Sequence, residues 1–146
     1  MKPGPQQTWD SMDPGVKYYA AACWHGATLI GADMYPINVD HIHSLGVIEM
    51  PQIYKGGKAR KSDIADLIFA AGRLADRYED YVLYLPANWK GQQPKKAHHK
   101  KILAALTDVE RALMDGMKKG TLKHVLDAVG LGLHHLNVCG MRISQI

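Results

Sequence analysis

Three acids stand where the surrounding chain gives no ordinary reason for a charge. Asp13 closes the opening segment just before Pro14-Gly15. Glu49 interrupts the apolar run Gly46-Val47-Ile48-Glu49-Met50, and Asp127 lies in the otherwise apolar stretch Val125 to Leu133. Carboxylates kept in such places need a partner, and a divalent cation is one. His124 precedes Asp127 by three positions, so on a helix both point to one side. Two strand acids and a helical His–Asp pair would suit two Mg2+ or Mn2+ ions and phosphodiester hydrolysis. One ion would activate water for in-line attack, and the other would stabilise the leaving 3′ oxygen. Each acid has a plainer reading alone: Asp13 as a turn residue, Glu49 as a stray strand charge, Asp127 as a favourable charge near a helix start. Their order and setting together carry the metal reading.

Two basic runs accompany them. Lys55, Lys58, Arg60 and Lys61 flank Gly56-Gly57 beside Tyr54, and Lys90, Lys95 and Lys96 open the second run. Both follow strands on the side where Glu49 should emerge, which predicts a phosphate-binding rim whose affinity falls with salt. Trp89, next to Lys90, is a candidate for stacking on a base; Trp9, Trp24 and most tyrosines read as core. The pairs His98-His99 and His134-His135 diverge by about 100° on a helix and do not chelate one ion. His41 and His43 have no third ligand near them in sequence. All six are expected to be solvated or to face nucleic acid. Cys23 and Cys139 lie in no zinc-ligand or disulfide spacing.

The elements that must position these residues can be read from periodicity. Residues 1–7, with Pro3, Gly4 and Pro5, suggest a disordered tail ahead of one domain over 8–146. A three-stranded antiparallel meander is predicted from roughly residue 8 to 34. Its second strand spans Val16 to Trp24, with a helix as rival because of Ala20-Ala21-Ala22, and its third spans Ala27 to Ala32. Tyr35 to Ser44 reads as irregular or a short helix, and Gly46 to Met50 as a buried strand. Ser62 caps a predicted helix to about Arg77, and Tyr81 to Leu85 is the next strand. Helices follow over Lys95 to Leu106, from the cap Thr107-Asp108-Val109-Glu110, and over His124 to Leu136. Strands followed by alternating strands and helices argue for a mixed α/β sheet with helices on its faces.

The 146 residues are 47% hydrophobic and 22% charged, enough for one core, and the formal charge of +4 is compatible with a polyanionic partner without requiring one. No apolar run reaches transmembrane length, and the N-terminus does not read as a signal peptide. A reducing, cytoplasmic setting is expected, in a bacterium or a phage-infected host, with no membrane association.

Asp13-Pro14-Gly15, Val47-Ile48-Glu49 and His124 to Leu133 resemble the three active-site segments of RuvC-type Holliday-junction resolvases, of the ribonuclease-H-like superfamily. The resemblance spans about residues 8–136. It implies a five-stranded mixed sheet with the first and fourth strands side by side and helices on both faces. It implies Asp13, Glu49, His124 and Asp127 as the catalytic, metal-binding set. Lys90 and Lys96 resemble positions that touch the phosphate backbone, and Tyr54 the residue that reaches into the junction. The family pattern also implies a homodimer acting on branched DNA. Ser11 stands where a Gly is common, Asp10 is an extra acid, and the Asp13-to-Glu49 interval is short. Three other functions fit the same residues: a nuclease on flaps or RNA–DNA hybrids, an inactive nucleic-acid-binding module, and a structural protein whose acids are mere caps.

Overall fold

Side-chain alternation along the first strand decides what each residue can reach. In the computed structural model, which describes residues 1–39, 43–51 and 60–146, β1 spans Thr8–Asp13. Trp9 joins one hydrophobic cluster and Met12 the other, so Asp10 and Met12 face one side of the sheet while Trp9, Ser11 and Asp13 face the opposite side. β2 (Tyr18–His25) and β3 (Thr28–Pro36) complete an antiparallel meander with β1. β4 (Leu45–Glu49) lies parallel to β1, and β5 (Asp80–Tyr84) parallel to β4, giving the order β3-β2-β1-β4-β5. The five-stranded mixed sheet and the adjacency of first and fourth strands are therefore as predicted.

The Ala-rich segment is a strand, and both faces of the sheet explain its composition. Ala20 and Ala22 pack into one cluster and Ala21 into the other, so small side chains are needed beneath two covering layers. The helix α1 (Lys61–Ala75) links β4 to β5 and buries Ala71, Leu74 and Ala75 against Met12, Tyr19 and Ile48. The other face carries α5 (Lys119–Val138) and α3 (Lys95–Ala105), with Leu131, Leu133 and Ile102 against Trp9, Trp24 and Val47. The short helices α2 (Pro86–Trp89) and α4 (Asp108–Ala112) complete the chain.

Several boundaries differ from the sequence reading. The third strand continues to Pro36, past Ala32, because Tyr18 pairs with Pro36 at the end of the hairpin. Arg60, not Ser62, is the N-cap of α1, and it makes no side-chain cap bond. α5 begins at Lys119, ahead of the predicted His124, which places Asp127 in the helix interior. The favourable-dipole reading of Asp127 is thereby removed, since that effect fades beyond the first turn. Residues 1–7 make specific contacts: the Met1 carbonyl accepts from His135, and Gln7 Nε2 donates to Ser44 Oγ.

Distant parts are tied by a buried carboxylate. Thr107 and Glu110 form the predicted capping box of α4. Glu110 also accepts from Leu29 N–H and from both terminal nitrogens of Arg142, at 2.7 Å each. Burial opposes its charge, but the Arg142 guanidinium and the two backbone donors outweigh burial and hold it down to about 2.

Candidate active site

Parity and register bring the predicted acids to one edge of the parallel strands. Met12 pairs with Ile48, so continuing the register by one residue sets Asp13 beside Glu49. Leu45 and Val47 pack beneath α5, and Glu49, two positions on, shares their face. α5 reaches this face closely. Ser11 Oγ donates to the Ala128 carbonyl at 2.7 Å and accepts from Trp24 Nε1 at 2.9 Å. A Cβ on Gly132 would lie 2.5 Å from the Trp24 indole, and one on Gly130 would lie 2.5 Å from Ile102. Only glycine lets the helix sit this near the sheet.

The result is a compact ligand set. One ligand atom from each of Asp13, His124 and Asp127 lies within 4.8 Å of the others, and His124 Nδ1 stands 3.3 Å from Asp13 Oδ2. Glu49 stands outside this trio, next to Asp13 by strand register, and its carboxylate is held by other partners. Trp89 Nε1 donates to Oε2 at 2.8 Å, and Lys90 Nζ lies 3.0 Å from the same oxygen. Trp89, expected as a base-stacking residue, is therefore buried, and it positions Glu49. Lys90, expected at phosphate, forms an ion pair inside the site.

Asp127 is held by two residues that local patterns did not single out as site members. His99 Nε2 lies 2.8 Å from Oδ1, and Lys95 Nζ lies 3.1 Å from Oδ2. Both come from the first turns of α3. Their partner is far away in sequence, and no local spacing encodes the contact. Nor are the other histidines uniformly solvated: His98 and His135 are buried. Burial pulls the His98 imidazole down to about 4, so it stays neutral near neutral pH. His134, half-buried, packs edge-on against Tyr84.

The proton affinities of the site reflect burial set against close ion pairing. Burial raises the Glu49 carboxyl above its usual range; Lys90 opposes this and Asp13 adds to it. Burial alone would lower the Lys90 ammonium, but Glu49, Asp127 and Asp13 together raise it. Burial works against the Asp127 charge too, yet the His99 hydrogen bond and the Lys90 and Lys95 charges keep it low. Two carboxylates of this kind beside a third, with a histidine among them, form a donor set for a divalent cation with oxygen and nitrogen ligands.

A basic surface borders the trio. Lys95, Lys96, His99, Lys100 and Lys123 line a shallow groove beside Asp127. Arg60 and Lys61 are exposed where α1 begins, whereas Tyr54, Lys55, Lys58 and His41 lie outside the described residues.

Solved structures share this architecture. Thermus thermophilus RuvC matches with a TM-score of 0.55 at 13% identity, covering 94% of this chain and 99% of that one. RuvC from the same organism in complex with a Holliday junction substrate matches at 0.55 and 12%, with the same coverage. The yeast mitochondrial Holliday junction resolvase matches at 0.56 and 12%, covering 94% of this chain and 81% of that one. No family model and no curated protein sequence matches the chain. The chain thus has the ribonuclease-H-like fold of RuvC-type resolvases over nearly its whole length, as the motif resemblance implies.

Proposed function

We propose that the protein is a divalent-metal-dependent endonuclease that nicks Holliday junctions or related branched DNA. The observation that carries this reading is the meeting of Asp13, His124 and Asp127 within 4.8 Å, beside Glu49, in a RuvC-like fold.

The donor set fits the expected ions. Asp13, Glu49 and Asp127 would hold them through oxygen, and His124 through nitrogen, a mixture that favours Mn2+ more than Mg2+ alone would require. When bound, such ions supply an activated water and charge neutralisation at the leaving oxygen. The chain's own residues do the rest. Trp89 and Lys90 fix the Glu49 carboxylate, and His99 and Lys95 fix that of Asp127, so the ligands are oriented before substrate arrives. Lys96, Lys100 and Lys123, with Arg60 and Lys61, would carry phosphates of the arms; Tyr54, Lys55 and Lys58 belong to the same proposal.

Paired cuts on a symmetric junction need two sites, which supports a homodimer. Ile68 and Phe69 on α1 are exposed, as are Tyr81 and Leu83 on the adjoining face of β5. This apolar surface lies on the α1 face, away from the site. Among the described residues no helix is long and apolar enough to cross a membrane.

The test is cleavage of a labelled synthetic four-way junction beside duplex, flap and RNA–DNA hybrid, with Mg2+, Mn2+ or EDTA. Paired symmetric nicks confined to the junction, absent in EDTA and in Glu49→Gln and Asp127→Asn, are expected. Preferential cutting of flaps or hybrids replaces the substrate. Salt-sensitive junction binding without cleavage in either metal makes the protein a binding module, and neither binding nor cleavage overturns the reading.

A further inference from the structure

On the sheet face away from Asp13, three side chains of metal-ligating type surround one another. Asp10 has no solvent exposure, and its cross-strand partner is Cys23. Partners in register share a face. His43, just before β4, brings Nδ1 to 2.9 Å from each Asp10 oxygen. One ligand atom from each of Asp10, Cys23 and His43 lies within 4.8 Å of the others. Tyr78 donates its hydroxyl to Asp10 Oδ2 at 2.9 Å. Its ring is seated against Gly46, where a Cβ would come within 2.7 Å of it.

We propose that Asp10, Cys23 and His43 form a second metal site, for a thiophilic divalent ion of the zinc kind, distinct from the oxygen-rich site at Asp13. A thiolate, an imidazole and a carboxylate are the donors that zinc prefers, whereas Mg2+ ignores sulfur. Tetrahedral zinc, with bonds of about 2.0–2.3 Å, sets its donors roughly 3.3–3.8 Å apart, so a trio already within 4.8 Å needs only small side-chain shifts to bind it. Tyr78 supplies the outer hydrogen bond that ligating carboxylates ordinarily have. The ion has a route in, because the His43 side chain is 25% exposed while Asp10 is sealed. As the metal–sulfur bond forms, the Cys23 thiol releases its proton to solvent, and water completes the coordination. The three ligands come from β1, β2 and the approach to β4. The ion would therefore fasten, from behind, the two strands that carry Asp13 and Glu49.

The experiment is a Co2+ titration of the full chain, stripped with chelator, in excess Mg2+ to fill the oxygen-rich site. A near-ultraviolet thiolate-to-cobalt charge-transfer band with strong visible bands of a tetrahedral ion is expected, reaching its limit at equimolar metal and bleached by zinc. The band should vanish in Cys23→Ser, weaken in His43→Gln, and persist in Cys139→Ser and Asp127→Asn. Zinc should also raise the Tm of the wild-type chain above its own value in EDTA, and should leave that of His43→Gln at its own EDTA value. That second readout decides the matter if Cys23→Ser does not fold. No charge-transfer band in the wild type, or a band that survives Cys23→Ser or is lost in Cys139→Ser, overturns the proposal.

Discussion

Glu49 owes its orientation to one indole N–H and one ammonium, and the two can be separated experimentally. Phe at position 89 keeps a ring in the core and deletes only the donor. Trp89→Phe is expected to lower junction cleavage roughly 10- to 100-fold, the usual cost of losing an outer-shell partner, with little change in Tm. His99→Ala should act on Asp127 with a similar magnitude, read in the metal concentration needed for half-maximal cleavage. A loss of stability without a change in that concentration would make His99 a packing residue. Glu110 is a residue of another kind, tied to fold rather than site. Its carboxyl sits near 2 in the folded chain against an ordinary 4.5, so the charged form is favoured by folding. The stabilisation is full above pH 4.5 and is lost as pH falls towards 2, on the order of 3 kcal/mol. Urea unfolding of wild type and Glu110→Gln across that range should show the two converging at the acid end. Sequence reading singled out Asp13, Glu49 and Asp127 because each is an acid its local pattern does not call for, and His124 by its three-residue spacing from Asp127. It read Lys95 only as part of a phosphate-binding rim and His99 only as a solvated or DNA-facing histidine, because their partner Asp127 is brought near only when α5 is laid beside α3.

Among the elements, α5 depends on contact more than on propensity. Glycine inside a helix ordinarily costs about 1 kcal/mol relative to alanine. At Gly132 the sign should invert, because the new methyl group meets the Trp24 indole, whose N–H is already committed to Ser11. Gly132→Ala is predicted to destabilise by about 1–3 kcal/mol and to reduce cleavage by shifting Asp127. Gly120 is the control: it lies in the same helix with nothing within 4 Å of its absent Cβ, and Gly120→Ala should stabilise by about 0.4–1 kcal/mol. Denaturant midpoints of the two variants, moving in opposite directions, check the argument. The helix was legible from its apolar run. Its start was not legible, because Lys119 to Lys123 carries no cap signal and no apolar periodicity.

At the scale of the molecule, alternation and turn signals were enough to foresee a mixed sheet, while which strands adjoin was foreseen only through the family resemblance that the Asp13 and Glu49 segments carry. What stayed hidden were the consequences of having two covered faces. Asp10 looks like a rival to Asp13 on paper, yet one step of strand parity sends it to the far side of the sheet. His43 lacks a third ligand in sequence but gains Asp10 and Cys23 when β1 and β2 pair. The exposed apolar residues on the α1 face would form the seam of the proposed homodimer. Phe69→Asp, at a residue 69% exposed, should leave Tm unchanged and shift the mass measured by light scattering from dimer to monomer. A monomeric wild type would remove the homodimer from the proposal. Finally, the three tryptophans divide the molecule optically. Trp9 and Trp24 stack on each other at 5.5 Å with no solvent exposure, a constant background to emission. Trp89 is the indole bonded to a site acid, so its quantum yield should follow whatever alters Glu49. If the proposed metal site is real, the protein carries its own label-free reporter of occupancy beside Glu49, and Trp89→Phe supplies the control that lacks it.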